Sequence, residues 1–157
     1  MKAETQVGPL SSVKQAREIE KQVKDSVEKG ARLVTGGHRD GAIYQPSVVT
    51  GVKPGMPLFD EEVFGPVFAI VEADTAGHAL ELSNRSKYGL GMQLFTQSEP
   101  MANRFIEEAE EGAVFINGMV KSDPRLPFGG IKRSGFGREL SEQGIKEFVN
   151  IKTIWID

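Results

Sequence analysis

A chain of 157 residues with 39% apolar and 26% charged residues is sized for one packed domain of ordinary composition. Its net charge of −3 leaves no electrostatic footprint for nucleic acid, and no basic run marks a membrane surface. Cysteine is absent, which excludes disulfides, thiolate metal sites and a thiol nucleophile supplied by this chain.

The two histidines, His38 and His78, lie far apart without ligand spacing, so no metal site is expected. The N-terminal stretch from Met1 to Gln6 lacks the apolar core of a signal peptide, and no apolar run approaches the length that crosses a bilayer. A cytoplasmic protein is the expectation.

In chain order, Leu10-Ser11-Ser12 predicts a helix start with a serine cap. Val13, Ala16, Ile19, Val23 and Val27 then recur at spacings of three and four, forming one buried stripe, and Gly30 stops the helix. The lysine- and glutamate-rich face opposite is solvated. Arg32–Thr35 reads as a short strand, followed by extended segments at Ala42–Tyr44 and Ser47–Thr50. Pro54-Gly55 marks a turn, and Met56–Pro66, apolar and acidic together, is kept irregular by two prolines and a glycine. Val67–Val71 is a continuous apolar run, which suits a strand covered on both faces.

Thr75 caps a helix carrying Ala79, Leu80 and Leu82 that ends near Gly89, and Leu90–Phe95 follows as a strand. Ser98-Glu99-Pro100 starts another helix, whose buried stripe is Met101, Phe105, Ile106 and Ala109. Ala113–Asn117 is the next strand. The strand–helix–strand–helix–strand order over 67–117 predicts an α/β fold: a mostly parallel sheet with flanking helices. Ser141 caps a short helix through Phe148. Val149–Asp157, β-branched and aromatic, reads as a terminal strand needing a partner. That partner lies either within the chain or across an interface between chains, and the interface is the preferred reading.

Leu126–Glu139 breaks every period. It holds four glycines, two phenylalanines and three cations. Two readings stay open: an ordered loop presenting aromatic rings beside a concave site, or a loop tucked in to close the core. The cations Lys132, Arg133 and Arg138 suit an anion, but a solvated surface is the commoner arrangement. Open parallel sheets bind ligands beyond the carboxyl ends of their strands. Asn117, which ends a strand, and Glu61–Pro66, which leads into one, are placed for that. A carboxylate beside an aromatic ring could hold a sugar diol while the ring packs on a flat heterocycle. On spacing alone, a solvated glutamate and a core phenylalanine are more common. Ser122 on the same footing is a loop serine. No dinucleotide glycine fingerprint, phosphate loop or Ser/His/Asp signature is present.

Two of these stretches carry a resemblance. Glu61-Glu62-Val63-Phe64-Gly65-Pro66-Val67 resembles the E-E-[IV]-F-G-P-V motif of the aldehyde dehydrogenase superfamily. Pro127-Phe128-Gly129-Gly130-Ile131-Lys132-Arg133-Ser134-Gly135-Phe136-Gly137-Arg138-Glu139 resembles its P-F-G-G-x-K-x-S-G-x-G-R-E motif. Val7–Leu10, Gln45-Pro46, Tyr88–Leu90 and Phe115–Asn117 also match, in family order and at family distances across nearly the whole chain. Asn117-Gly118-Met119 and the ending Ile151–Trp155 most resemble the succinate-semialdehyde branch.

The resemblance implies roles. Glu62 matches the glutamate that binds the hydroxyls of the nicotinamide ribose, and Phe64 the phenylalanine beside the nicotinamide ring. Phe128 matches an aromatic wall of the aldehyde tunnel. Ser122 falls where the succinate-semialdehyde branch places a serine for the substrate's distal carboxylate. Residues 1–148 then form part of a catalytic domain, and 149–157 an oligomerisation strand. The family's reaction needs a cysteine thiolate to attack the aldehyde, NAD or NADP to accept hydride, and a glutamate-activated water to release the acid. This chain lacks the thiol, and it resembles only the C-terminal part of such an enzyme. The expectation is therefore a C-terminal segment of an NAD(P)-dependent, succinate-semialdehyde-like dehydrogenase: no catalytic residue of its own, no cofactor bound alone, and inactive until completed. Its expected partners are a missing N-terminal part or further copies of itself, with a small aldehyde as substrate and neither nucleic acid nor membrane. A non-catalytic self-associating domain on the same fold is the alternative. A weak hydrolase using Ser122 or Ser134 ranks last, because no histidine is placed to activate either.

Overall fold

Ser12 begins the first helix as its side chain demands. Its hydroxyl accepts the Gln15 N–H at 3.1 Å, and α1 runs Val13–Glu28 behind it. The computed structural model describes residues 4–157; Met1–Ala3, half of the stretch expected to carry no leader, lie outside the described residues. The chain divides into two units, one ending at Ala73 and one beginning at Asp74.

In the first unit, α1 is followed by β1 (Arg32–Thr35), β2 (Arg39–Asp40), β3 (Ile43–Tyr44), β4 (Ser47–Thr50), α2 (Pro57–Asp60) and β5 (Val67–Ala69). β4 is central in a three-stranded sheet, antiparallel to β1 and parallel to β5, with Ser47 opposite Val67. β2 and β3 form a separate antiparallel ribbon. Ile19 and Val23 of α1 pack with Tyr44, Val49, Met56 and Leu58 into the core. The predicted stripe holds at its centre. Its end residues, Val13 and Val27, are exposed where the helix outruns what it covers.

The fourth buried position of α1 is Ser26, which no apolar pattern shows. Its Oγ accepts the Leu58 N–H at 3.1 Å. α2 starts at Met56-Pro57, where no side chain caps the helix, so Ser26 satisfies one of its orphan amides from outside. The irregular segment expected over Met56–Pro66 thus contains one short helical turn. The covering expected for both faces of β5 is absent among the described residues: Phe68 is 71% exposed. Its apolar composition describes a strand with neighbours on more sides than this chain supplies.

The second unit runs α3 (Ala76–Asn84), β6 (Tyr88–Gly89), β7 (Met92–Leu94), α4 (Glu99–Glu108), β8 (Val114–Ile116), β9 (Ile131–Lys132) and α5 (Ser141–Lys146). Thr75 caps α3 by accepting the His78 N–H, and Ser98 caps α4 by accepting the Met101 N–H. β7 and β8 pair in parallel across α4, the predicted strand–helix–strand unit, with Phe105 buried beneath the helix. Ile106, expected in the same stripe, is 54% exposed. β6 pairs antiparallel with β9. The fold is α/β, with helices and small sheets. Ser141 is not a cap: it is the first residue of α5, and it and Leu140 both enter through positive φ. Val149–Asp157 forms no strand, because a ladder needs a partner and none lies beside it among the described residues. Trp155 is 85% exposed.

Candidate functional site

The sequence-predicted residues fall in both units. Glu62 and Phe64 share one loop of the first, and Ser122 and Phe128 belong to the second.

The Glu61–Pro66 loop lies across the flank of α1. Gln15 Nε2 donates to the Phe64 carbonyl at 2.6 Å. Two helical turns later, Gln22 Nε2 donates to Glu61 Oε2 at 3.0 Å and to the Glu62 carbonyl at 3.2 Å. Residues seven apart share a helix face, so the two glutamines hold the loop at both ends. Gly65 lets the loop come this close: a Cβ there would run into the Ile19 Cδ1 methyl. With its carbonyls fixed, the loop leaves the side chains of Glu62 and Phe64 turned to the open. The Glu62 carboxylate takes no partner among the described residues, and Phe64 is 73% exposed. Phe64 also lines a cleft of about 670 Å³ with Leu10, Ser11, Gln15 and Val63, beside which Glu62 is exposed.

In the second unit the glycine-rich segment is an ordered loop closed on itself. Phe128 and Glu139 exchange backbone hydrogen bonds at 2.9 and 2.8 Å. β9 is held to β6, and Ser134 Oγ accepts the Gly89 N–H at 3.0 Å. At Gly129 the loop's own backbone is the obstacle to a side chain: an added Cβ would sit 2.7 Å from the Gly137 carbonyl oxygen. Two of the three cations are committed internally. Lys132 Nζ bonds the Asn84 carbonyl at 2.7 Å and pairs with Glu110 at 2.6 Å. Arg138 donates to the carbonyls of Gly130 and Gly137. The loop presents Phe136 fully exposed.

Phe128 lines a cavity of about 450 Å³ with Phe115, Lys121, Asp123 and Leu126. Ser122, between two of these residues, is exposed and outside that lining, with its hydroxyl unpartnered among the described residues. The structure therefore puts Phe128 in a wall without bringing Ser122 into the same cavity. Asp123 accepts the Arg125 backbone N–H and its Nε at 3.0 and 2.9 Å through one oxygen, and Nη2 at 2.7 Å through the other. The guanidinium, then the backbone amide, hold its carboxyl down at about 2, with Lys121 adding a smaller pull. Asn117, at φ 52°, pairs with Thr96 by accepting its N–H at 2.9 Å and donating to its carbonyl at 2.8 Å. The side chain thereby mimics one more rung of the β7–β8 ladder. Asn is the residue that tolerates this backbone and supplies both groups.

Sequence reasoning missed Gln15, Gln22 and Asp123. The glutamines sit on the solvated face of an amphipathic helix, where pattern alone labels them surface. Asp123-Pro124-Arg125 carried a local signal, since an aspartate commonly accepts an N–H two residues on.

Comparison with known proteins covers nearly the whole chain. The model of the aldehyde dehydrogenase family matches residues 1–154. The succinate-semialdehyde dehydrogenase [NADP(+)] 1 of Mycobacterium tuberculosis H37Rv is 47% identical over 156 residues, which is 98% of this chain and 34% of that protein. The Escherichia coli K12 succinate semialdehyde dehydrogenase, NAD(P)+ type, is 46% identical over 157 residues with the same coverage. Among solved structures, the succinic semialdehyde dehydrogenase of Streptococcus pyogenes in complex with NADP+ superposes with a TM-score of 0.90 at 40% identity, covering 99% of this chain and 35% of that one. Betaine aldehyde dehydrogenase of Staphylococcus aureus, in complex with NAD+, gives 0.87 at 33% identity, covering 94% and 31%. The chain spans about a third of the length of the curated relatives it matches.

Proposed function

The chain belongs to the aldehyde dehydrogenase family, and we propose that it supplies part of the cofactor and substrate walls of an NAD(P)-dependent succinate-semialdehyde dehydrogenase. The observation that carries this is the Glu61–Pro66 loop. Its backbone is pinned to α1 while a free carboxylate at Glu62 and an exposed ring at Phe64 stand two residues apart. A nicotinamide ribose fits that pair, with Glu62 accepting from the sugar hydroxyls and Phe64 packing on the flat ring. The dinucleotide, when bound, accepts hydride from the substrate. The contribution of this chain is orientation. Glu62 and Phe64 position the ribose and ring, Phe128 walls the aldehyde path, and Ser122 offers a hydroxyl to the distal carboxylate of a four-carbon semialdehyde. NADP is the cofactor named for the Mycobacterium tuberculosis and Streptococcus pyogenes proteins, and their similarity supports a dinucleotide of this class here.

With no cysteine in its sequence, the chain cannot form the thiohemiacetal on which this family's oxidation depends. The test is reconstitution. The purified chain alone should give no aldehyde-dependent NAD(P)H. Joined to the N-terminal two-thirds of the Mycobacterium tuberculosis relative, it should oxidise succinate semialdehyde. Turnover by the isolated chain, or an inert and cofactor-blind reconstituted protein, would overturn the proposal.

A further inference from the structure

Gln22 has one carboxamide nitrogen and uses both of its protons on consecutive residues of the same loop, one on the Glu61 carboxylate at 3.0 Å and one on the Glu62 carbonyl at 3.2 Å. A planar amide whose two donors point apart engages both acceptors at once, so the Glu62–Val63 peptide, through its carbonyl, and the Glu61 side chain are tied to the same point on α1. Of the two bonds, the one to Glu61 is charge-assisted and the stronger. Gln22 is itself half-buried on α1, a 16-residue helix whose neighbouring Ile19 and Val23 are core residues. The clamp is therefore mounted on a helix that is packed into the core of the first unit. The Glu62 carboxylate itself is exposed and has no partner of its own among the described residues. Its direction is set by the backbone behind it.

We infer that Gln22 is a positioning residue for Glu62, aiming that carboxylate at the cofactor's ribose by holding the Glu62 carbonyl, and with it the Glu62–Val63 peptide, against α1. The inference rests on the reading of Glu62 given above. Gln22 makes no contact with substrate or cofactor under it. Its removal should weaken the dinucleotide and leave the aldehyde untouched.

The reconstituted dehydrogenase tests this. Gln22→Ala sits mid-helix, where alanine is the better helix former, so the variant should fold. It should raise the KM for NAD(P)+ and the Kd for NAD(P)H, followed by cofactor fluorescence, about tenfold, with the KM for succinate semialdehyde unchanged. Gln22→Arg, which keeps two N–H donors at that position, should recover most of the loss. In a Glu62→Ala background, Gln22→Ala should add almost nothing, because the group it aims is gone. A full additional tenfold loss on top of Glu62→Ala would overturn the inference, as would parallel changes in both KM values. An active wild type with an unaltered cofactor KM in Gln22→Ala would sink the positioning role alone. A wild type that neither turns over nor binds cofactor would sink this inference and the proposed function together.

Discussion

Asp123 keeps its charge further into acid than a free carboxylate, because the Arg125 guanidinium and backbone N–H are both bonded to it. Its carboxyl is lowered from 3.8 to about 2. A depressed acid binds its proton more weakly in the folded loop than in the open one, so this pair supports the loop at neutral pH and lets go as pH falls from about 4 to about 2. Carbon-detected NMR of the Asp123 side chain should show its midpoint at about 2, well below the ordinary carboxylate value of 3.8. In Arg125→Ala its midpoint should move up toward the ordinary range, and the segment from Lys121 to Phe128 should loosen at correspondingly higher pH. At this scale Glu62, Phe64, Ser122 and Phe128 are singled out by the resemblance and not by spacing, which favours a solvated glutamate and a core phenylalanine; the exposed ring of Phe64 departs from that core reading. Gln22 is singled out by neither. Its partners lie 39 and 40 positions away, and no local period encodes a contact that only the fold creates.

Among the elements, α2 depends on a neighbour for its start. Removing the Ser26 hydroxyl leaves the Leu58 N–H buried and unpaired, since Met56 has no side chain that could replace it. Ser26→Ala should cost about 1–3 kcal/mol, seen as a lower urea midpoint at unchanged slope. A glycine there would add helix-propensity loss, so alanine is the cleaner probe. Caps at Ser12, Thr75 and Ser98 were readable because each acts within one turn of its own residue. The paired segments β2, β6 and β9 were not, being two residues each and too short for any alternation to register. At β5 the sequence described a covered strand, and the described chain leaves Phe68 and Ile70 in the open. Apolar composition reports that a strand suits burial on both faces, and does not say which segment would supply the cover.

Over the whole molecule, Phe64, Phe68, Phe136, Phe148 and Trp155 are each more than two-thirds exposed. Isolated apolar side chains on a surface need no explanation, but this many large ones favour association. Size-exclusion chromatography with light scattering should find the purified chain as oligomers or soluble aggregates. A clean monomer at tens of micromolar would contradict that. Binding the N-terminal part of a relative should shift it to a discrete species, and Trp155 fluorescence should move to shorter wavelength if the 149–157 segment is what becomes covered. β5 offers a quieter gauge of the same event. It pairs with β4 along one side and has no strand on the other among the described residues. Deuterium uptake along that three-residue strip should be rapid in the lone chain and slow once another strand is laid against it, so isotope exchange alone can report when the sheet has been completed.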